Sequence, residues 1–212
     1  NTEVAGSRPV AGTVLRVSAP AACRRHYAGD VRIVVSGTHA SGKSTLISDF
    51  ALRHPRFTVL PDPFEVVDDA AGARDMRSFA AQLRVAADQL TSDDHGVDVI
   101  AERGPLDFLA YLLAAAELAG TRLDDALLER AMARTTAALS AVDILIVLPL
   151  SAADALDVDD DEDPQLRDLM NDVLLDLLDD AELTGDDLAV VEITGSPAAR
   201  LALLESAVDA SR

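Results

Sequence analysis

Gly37-Thr38-His39-Ala40-Ser41-Gly42-Lys43-Ser44 is the stretch on which the fold of this chain turns. It fits G-x-x-x-x-G-K-[ST], a glycine-rich loop that closes around phosphate groups. The glycines let backbone N–H groups turn inward toward phosphate oxygens. The lysine ammonium reaches the outer phosphates, and the serine hydroxyl is placed for a Mg²⁺ ion. The flanks agree with that mechanism. Residues 31–36 form a short β-branched run that reads as a strand, and residues 45–52 read as a helix whose N-terminus adds the positive end of its dipole. Composition points to the same spot: the chain carries 18 Lys and Arg, and Lys43 is its only lysine. A chain that uses arginine at every other basic position has kept its one ammonium where a phosphate binder needs it. The motif assigns Gly37, His39, Ala40, Ser41, Gly42, Lys43, Ser44 and Thr45 to phosphate binding, with Ser44 also on the metal; ATP and Mg²⁺ are the expected cofactors. His39 occupies a variable position of the loop and is not expected to catalyse.

Working outward, apolar runs and amphipathic stretches alternate. Strands are expected at 57–60, 97–101, 143–150 and 188–193, and helices at 74–90, 105–119 and 123–139, from Pro164 onward, and from Ser196-Pro197 to about residue 210. The run Ile144-Leu145-Ile146-Val147-Leu148 is continuous enough for a strand buried on both faces. Alternating strands and helices predict an α/β domain with a mainly parallel, five-stranded sheet between two helical layers, the three-layer P-loop NTPase arrangement. Residues 1–30 lack periodicity and are locally basic. They read as a flexible or loosely docked arm with a short strand near 13–17, ahead of one domain at 31–212.

The charge excludes several classes. With 37 Asp and Glu against 18 Lys and Arg the formal charge is −19, a poor match for a nucleic-acid backbone, whose binding needs cations. One cysteine allows neither an intrachain disulfide framework nor a cysteine zinc site. No apolar run approaches the ~18 residues of a membrane helix and no signal-peptide pattern opens the chain, so a soluble, cytoplasmic protein without a membrane partner is expected. The acid is uneven: residues 151–190 hold fifteen Asp and Glu and one basic residue, Arg167. The densest part, Asp157 to Asp163, reads as a solvated acidic loop. It is a poor calcium loop, because Glu162 stands where an EF-hand turn needs glycine. The basic arm facing the acidic window of another copy gives an argument for a homodimer.

The loop alone does not choose between switch, motor and kinase. A guanine-specific switch needs an Asn-Lys-x-Asp reader, and Lys43 is already used. An AAA+ motor needs a helical lid domain, for which about 180 residues leave little space. A small phosphotransferase needs only a base, an acid near the metal and cations over the migrating phosphoryl group. Strand ends supply candidates: Leu60-Pro61-Asp62-Pro63-Phe64-Glu65 after the second strand, and Ala101-Glu102-Arg103-Gly104-Pro105-Leu106-Asp107 after the third. An acid-Pro pair and then Glu-Arg at these two places resemble the deoxynucleoside kinases, and equally the nicotinamide riboside kinase-type AAA ATP-binding domains. Phe79-Ala80-Ala81-Gln82-Leu83 is similar to the helix that carries a substrate-reading glutamine in those kinases. Val191 to Leu201 resembles the last strand and adenine-side loop of the riboside-kinase-like group.

The resemblance covers about residues 31–208. It implies Asp62 as general base, Glu102 near the metal, Arg103 on phosphate or acceptor, and Gln82 as a substrate contact. Glu65 is the fallback base and a second acceptor contact. Arg167 joins the phosphate ligands. The implied activity is transfer of the γ-phosphoryl group of ATP to a hydroxyl of a small, nucleoside-like molecule, with Lys43, Asp62, Glu102 and Arg103 as the catalytic set; an acidic lid region facing the substrate would suit an aminated, cationic acceptor. The alternative is an ATP-binding regulatory or assembly module acting through a protein partner. Two departures stand out. The acid after the second strand is Asp where the family carries Glu, one methylene longer. The lid region at about 151–165 is acidic where such kinases carry arginines.

Overall fold

The computed structural model describes residues 13–18, 31–66, 76–92, 98–150 and 163–212. Among the described residues six strands form one sheet: β1 (Thr13–Ser18), β2 (Arg32–Ser36), β3 (Thr58–Leu60), β4 (Val99–Glu102), β5 (Ile144–Val147) and β6 (Ala189–Thr194). Their spatial order is β1-β6-β5-β2-β4-β3. Strands β2 to β6 are all parallel, which is the predicted five-stranded sheet. β1 adds a sixth strand antiparallel to β6 at the edge, with a register shift between Val14 and Arg16.

The helices are α1 (Lys43–Arg53), α2 (Pro63–Val66), α3 (Met76–Thr91), α4 (Pro105–Leu118), α5 (Asp125–Leu139), α6 (Pro164–Leu178), α7 (Ala181–Thr184) and α8 (Pro197–Ala210). The short helices α2 and α7 carry too few residues to register as periodicity. The starts of the longer ones are written in local chemistry. Asp124, Asp163 and Ser196 each accept backbone N–H bonds at the head of α5, α6 and α8, and Pro stands in the first turn of α4, α6 and α8.

The two-residue strand period divides the core into two. Val34, Leu145 and Val147 face α3, α4, α5 and α6 on one side. Ile33, Val35, Ile144 and Ile146 face α1 and α8 on the other. β2 lies centrally, flanked by β4 and β5. After β2 the chain visits the β3–β4 side first and crosses to β5 later. The crevice at the carboxyl ends of β2, β4 and β5 is therefore where an open α/β sheet collects its ligands. Among the described residues no helix is long and apolar enough to cross a membrane. The acidic run at 151–162, the stretches 67–75 and 93–97, and the rest of residues 1–30 lie outside the described residues.

Candidate active site

The loop between β2 and α1 turns on backbone conformations that few residues adopt. Gly37 has φ +147°, and a Cβ there would stand 2.7 Å from the Leu148 carbonyl oxygen. Gly42 has φ +89° and opens α1 with no side-chain cap, so the first-turn N–H groups of the helix stay with the loop. Ala40 is also left-handed, at φ +52°. The base of the loop is held by Asp107, fully buried in the first turn of α4. Its carboxylate accepts from Ser36 Oγ (2.7 Å), Gly37 N–H (2.9 Å) and Gly104 N–H (2.9 Å). Burial raises its pKa, and those three donors with the nearby Arg103 guanidinium offset only part of that rise. One carboxylate thus joins the end of β2, the loop and the start of α4.

A cleft of about 500 Å³ opens over the loop, lined by His39, Ala40, Gly42, Lys43, Ser44, Thr45, Asp62, Phe64, Glu65, Glu102, Arg103, Tyr111, Asp163, Leu166 and Arg167. Lys43 is buried, and its ammonium donates to the Thr38 carbonyl and to Ser41 Oγ. Burial, with the nearby Arg103 guanidinium, lowers its pKa to about 7, while Asp107, Glu102 and Asp62 oppose the shift. Ser44 Oγ donates to Glu102 Oε1 at 2.7 Å. Among the described residues no three His, Cys, Asp or Glu side chains gather into a metal cage. A hydroxyl beside one carboxylate nevertheless suits Mg²⁺, which takes one or two protein oxygens and completes its shell with phosphates and water.

Across the cleft Asp62 and Arg103 form a buried ion pair. Asp62 Oδ1 accepts from the Phe64 N–H at 3.0 Å, so the turn between its two prolines is closed by the same carboxylate that meets Arg103. Arg103 has φ +61°, the left-handed region that an arginine occupies only when its surroundings impose it. Its N–H donates to the Val35 carbonyl at 3.1 Å. Its guanidinium lies 4.8 Å from the centre of the Phe64 ring and 6.0 Å from that of Tyr111. Tyr111 stacks on Phe79 at 5.0 Å and 16°, and its hydroxyl accepts the His39 N–H at 3.2 Å.

Most residues singled out in the sequence meet here: Lys43, Ser44, Thr45, His39, Ala40, Gly42, Asp62, Glu65, Glu102, Arg103 and Arg167 all line the cleft. Gly37 and Ser41 shape the loop without lining it. Gln82 is buried on α3 outside the cleft lining, and its Oε1 has no hydrogen-bond partner among the described residues. Arg167 donates through Nε to the His39 carbonyl at 3.2 Å. Three residues were not anticipated in their places. Tyr111 had a compositional signal, since it is one of two tyrosines in the chain. Asp107 reads in sequence as an ordinary first-turn acid. Arg200 of α8 donates to the Ser41 carbonyl at 2.7 Å, and nothing local announces it.

The same architecture occurs in solved structures of known enzymes. Deoxyadenosine kinase from M. mycoides, in a structure with dCMP and a flexible dCDP bound, matches with a TM-score of 0.64 at 14% identity, over 85% of this chain and 100% of that one. Its structure with dATP bound matches with a TM-score of 0.62, also at 14% identity, over 84% and 100%. Thymidylate kinase from Candida albicans matches with a TM-score of 0.57 at 14% identity, over 92% and 93%. The fold is that of the P-loop nucleoside and nucleotide kinases. No protein-family model matches the chain, and no curated protein matches it in sequence.

Proposed function

We propose that this P-loop protein is an ATP- and Mg²⁺-dependent kinase that moves the γ-phosphoryl group of ATP to a hydroxyl of a small, nucleoside-like acceptor. The observation that carries the reading is the convergence, on one cleft, of Lys43, the Ser44–Glu102 pair and the buried Asp62–Arg103 pair from β2, β4 and the segment after β3. A nucleotide-binding module has no need of the last pair.

In this reading the loop N–H groups and the α1 N-terminus hold the phosphates. Lys43 supplies a charge at the β- and γ-positions. Ser44 and Glu102 would hold Mg²⁺, which when bound neutralises phosphate charge. Asp62 takes the acceptor proton as the new O–P bond forms and the bond to ADP breaks; its oxygens keep free lone pairs beside the Phe64 N–H and the Arg103 guanidinium. Arg103, fixed by its ion pair and by the Phe64 and Tyr111 rings, stands ready to stabilise charge on the transferred group. Phe64, Glu65 and Tyr111 form the acceptor side of the cleft, and Gln82 adds an amide behind it.

The test is ADP release in the presence of a panel of nucleosides, aminated sugars and amino alcohols, for the native chain and for Asp62→Asn. Acceptor-stimulated release that falls about 10²–10⁴-fold in Asp62→Asn, with ATP affinity kept, is the expected result. Tight ATP binding with no acceptor stimulation anywhere in the panel would replace this reading with that of a regulatory module.

A further inference from the structure

We infer that Arg200, on the far side of the sheet from the acceptor wall, is a positioning residue that sets the phosphate-binding N–H groups through the outer face of the loop. The inference rests on the nucleotide reading of the cleft. A trans peptide unit is planar, with C=O and N–H on opposite edges. Whatever holds the carbonyl of one residue therefore aims the N–H of the next. Arg200 Nη1 holds the Ser41 carbonyl at 2.7 Å, so the Gly42 N–H is turned away from Arg200, and Gly42 lines the cleft. Arg167 also holds a loop carbonyl, that of His39 through Nε, but it does so from among the cleft-lining residues.

Arg200 is well placed for this work. It is only 7% exposed and sits in the first turn of α8, a helix head fixed by Ser196. Its guanidinium packs so closely that a Cβ on Gly42 would stand 3.1 Å from Nη1. Ser41 lies between two left-handed residues, Ala40 and Gly42, where the loop has the greatest freedom to rotate a peptide plane. A charged donor at that carbonyl polarises the peptide toward the phosphate and settles its orientation before ligand arrives, which lowers the ordering cost of binding. Arg200 itself is not a cleft residue, so it acts through the loop.

The experiment is calorimetric titration of the full chain with ATP and, separately, with inorganic tripolyphosphate, both with Mg²⁺. The native protein is compared with Arg200→Ala and with Arg200→Gln, which fills the same channel and keeps an N–H donor. Folding of each variant is followed by circular dichroism. Loss of one charge-assisted bond predicts a roughly ten- to hundredfold weaker Kd for both ligands in Arg200→Ala, by the same factor for each. Arg200→Gln should lose less, and millimolar guanidinium should restore part of the Arg200→Ala loss. The inference is overturned if folded variants bind both ligands as the native chain does. It is equally overturned if ATP weakens while tripolyphosphate does not, which would put Arg200 on the base side of the nucleotide. A native chain that binds neither ligand would instead defeat the nucleotide reading itself.

Discussion

The two walls of the cleft are built on opposite plans. The wall proposed for phosphate is one continuous piece of chain, Ser36 to Thr45, and offers mainly backbone N–H groups and a helix end. The wall proposed for the acceptor is assembled from side chains of three separate segments, Asp62 and Phe64, then Arg103, then Tyr111. The first can be read as a string, because backbone geometry depends on neighbours in sequence. The second exists only once β3, β4 and α4 are packed together. Two residues join the walls: Asp107, which bonds to both Gly37 and Gly104, and Tyr111, whose hydroxyl accepts from His39.

That contrast can be broken or sharpened by substitution. Beyond Asp62→Asn, the largest effect is expected from Lys43→Met, on the phosphate wall. Turnover should fall about 10²–10³-fold in a steady-state ADP assay, as when one preorganised charge donor is lost. The thermal midpoint should hold or rise, because a buried ammonium is removed from an unfavourable site. A fall in stability instead would mark Lys43 as a structural cation. Asp107→Asn acts on the join. An amide offers one accepting oxygen where the carboxylate serves three donors, so urea denaturation should show a loss of roughly 1–3 kcal/mol, with both walls loosened together.

Next in size is the pH response of Lys43. Its folded pKa of about 7 lies below the ordinary 10.5, so the ligand-free protein binds fewer protons than the unfolded chain between those values. Stability from this group is therefore present at high pH and lost as pH falls toward 7. Phosphate pairing raises the pKa again, so nucleotide binding above pH 7 takes up a proton, and affinity declines by up to about tenfold per pH unit. Titration calorimetry at pH 8 in two buffers of different ionisation enthalpy measures the uptake, which Lys43→Met should abolish. The smallest effect is expected from Tyr111→Phe. The stack on Phe79 survives, the His39 N–H loses a buried acceptor, and about 0.5–1.5 kcal/mol should be lost in denaturant unfolding. A larger loss in acceptor KM than in ATP KM would place the tyrosine on the acceptor wall alone.

The strands, the six longer helices after the loop and the parallel sheet were legible because their signals are local: β-branched runs, apolar periodicity, and Asp, Ser and Pro at helix starts. The short helices α2 and α7 were not, since four residues make one turn and no period. Asp62 and Glu102-Arg103 could be found at strand ends, yet nothing in the sequence says that Asp62 and Arg103 pair in a buried salt bridge. That pairing needs β3 and β4 side by side in parallel register.

By itself the sequence determined where the glycine-rich loop lies and what kind of sheet carries it, because such a turn between a strand and a helix is defined by adjacent residues. Tertiary structure alone decided what surrounds that loop. Arg200 lies 159 positions from Ser41 and Arg167 lies 128 from His39, and contacts at such separations follow from the sheet order and the helix packing. Arg167 holds the loop from the cleft side and Arg200 from behind it, and the fold brings both to the loop that carries the chain's one lysine.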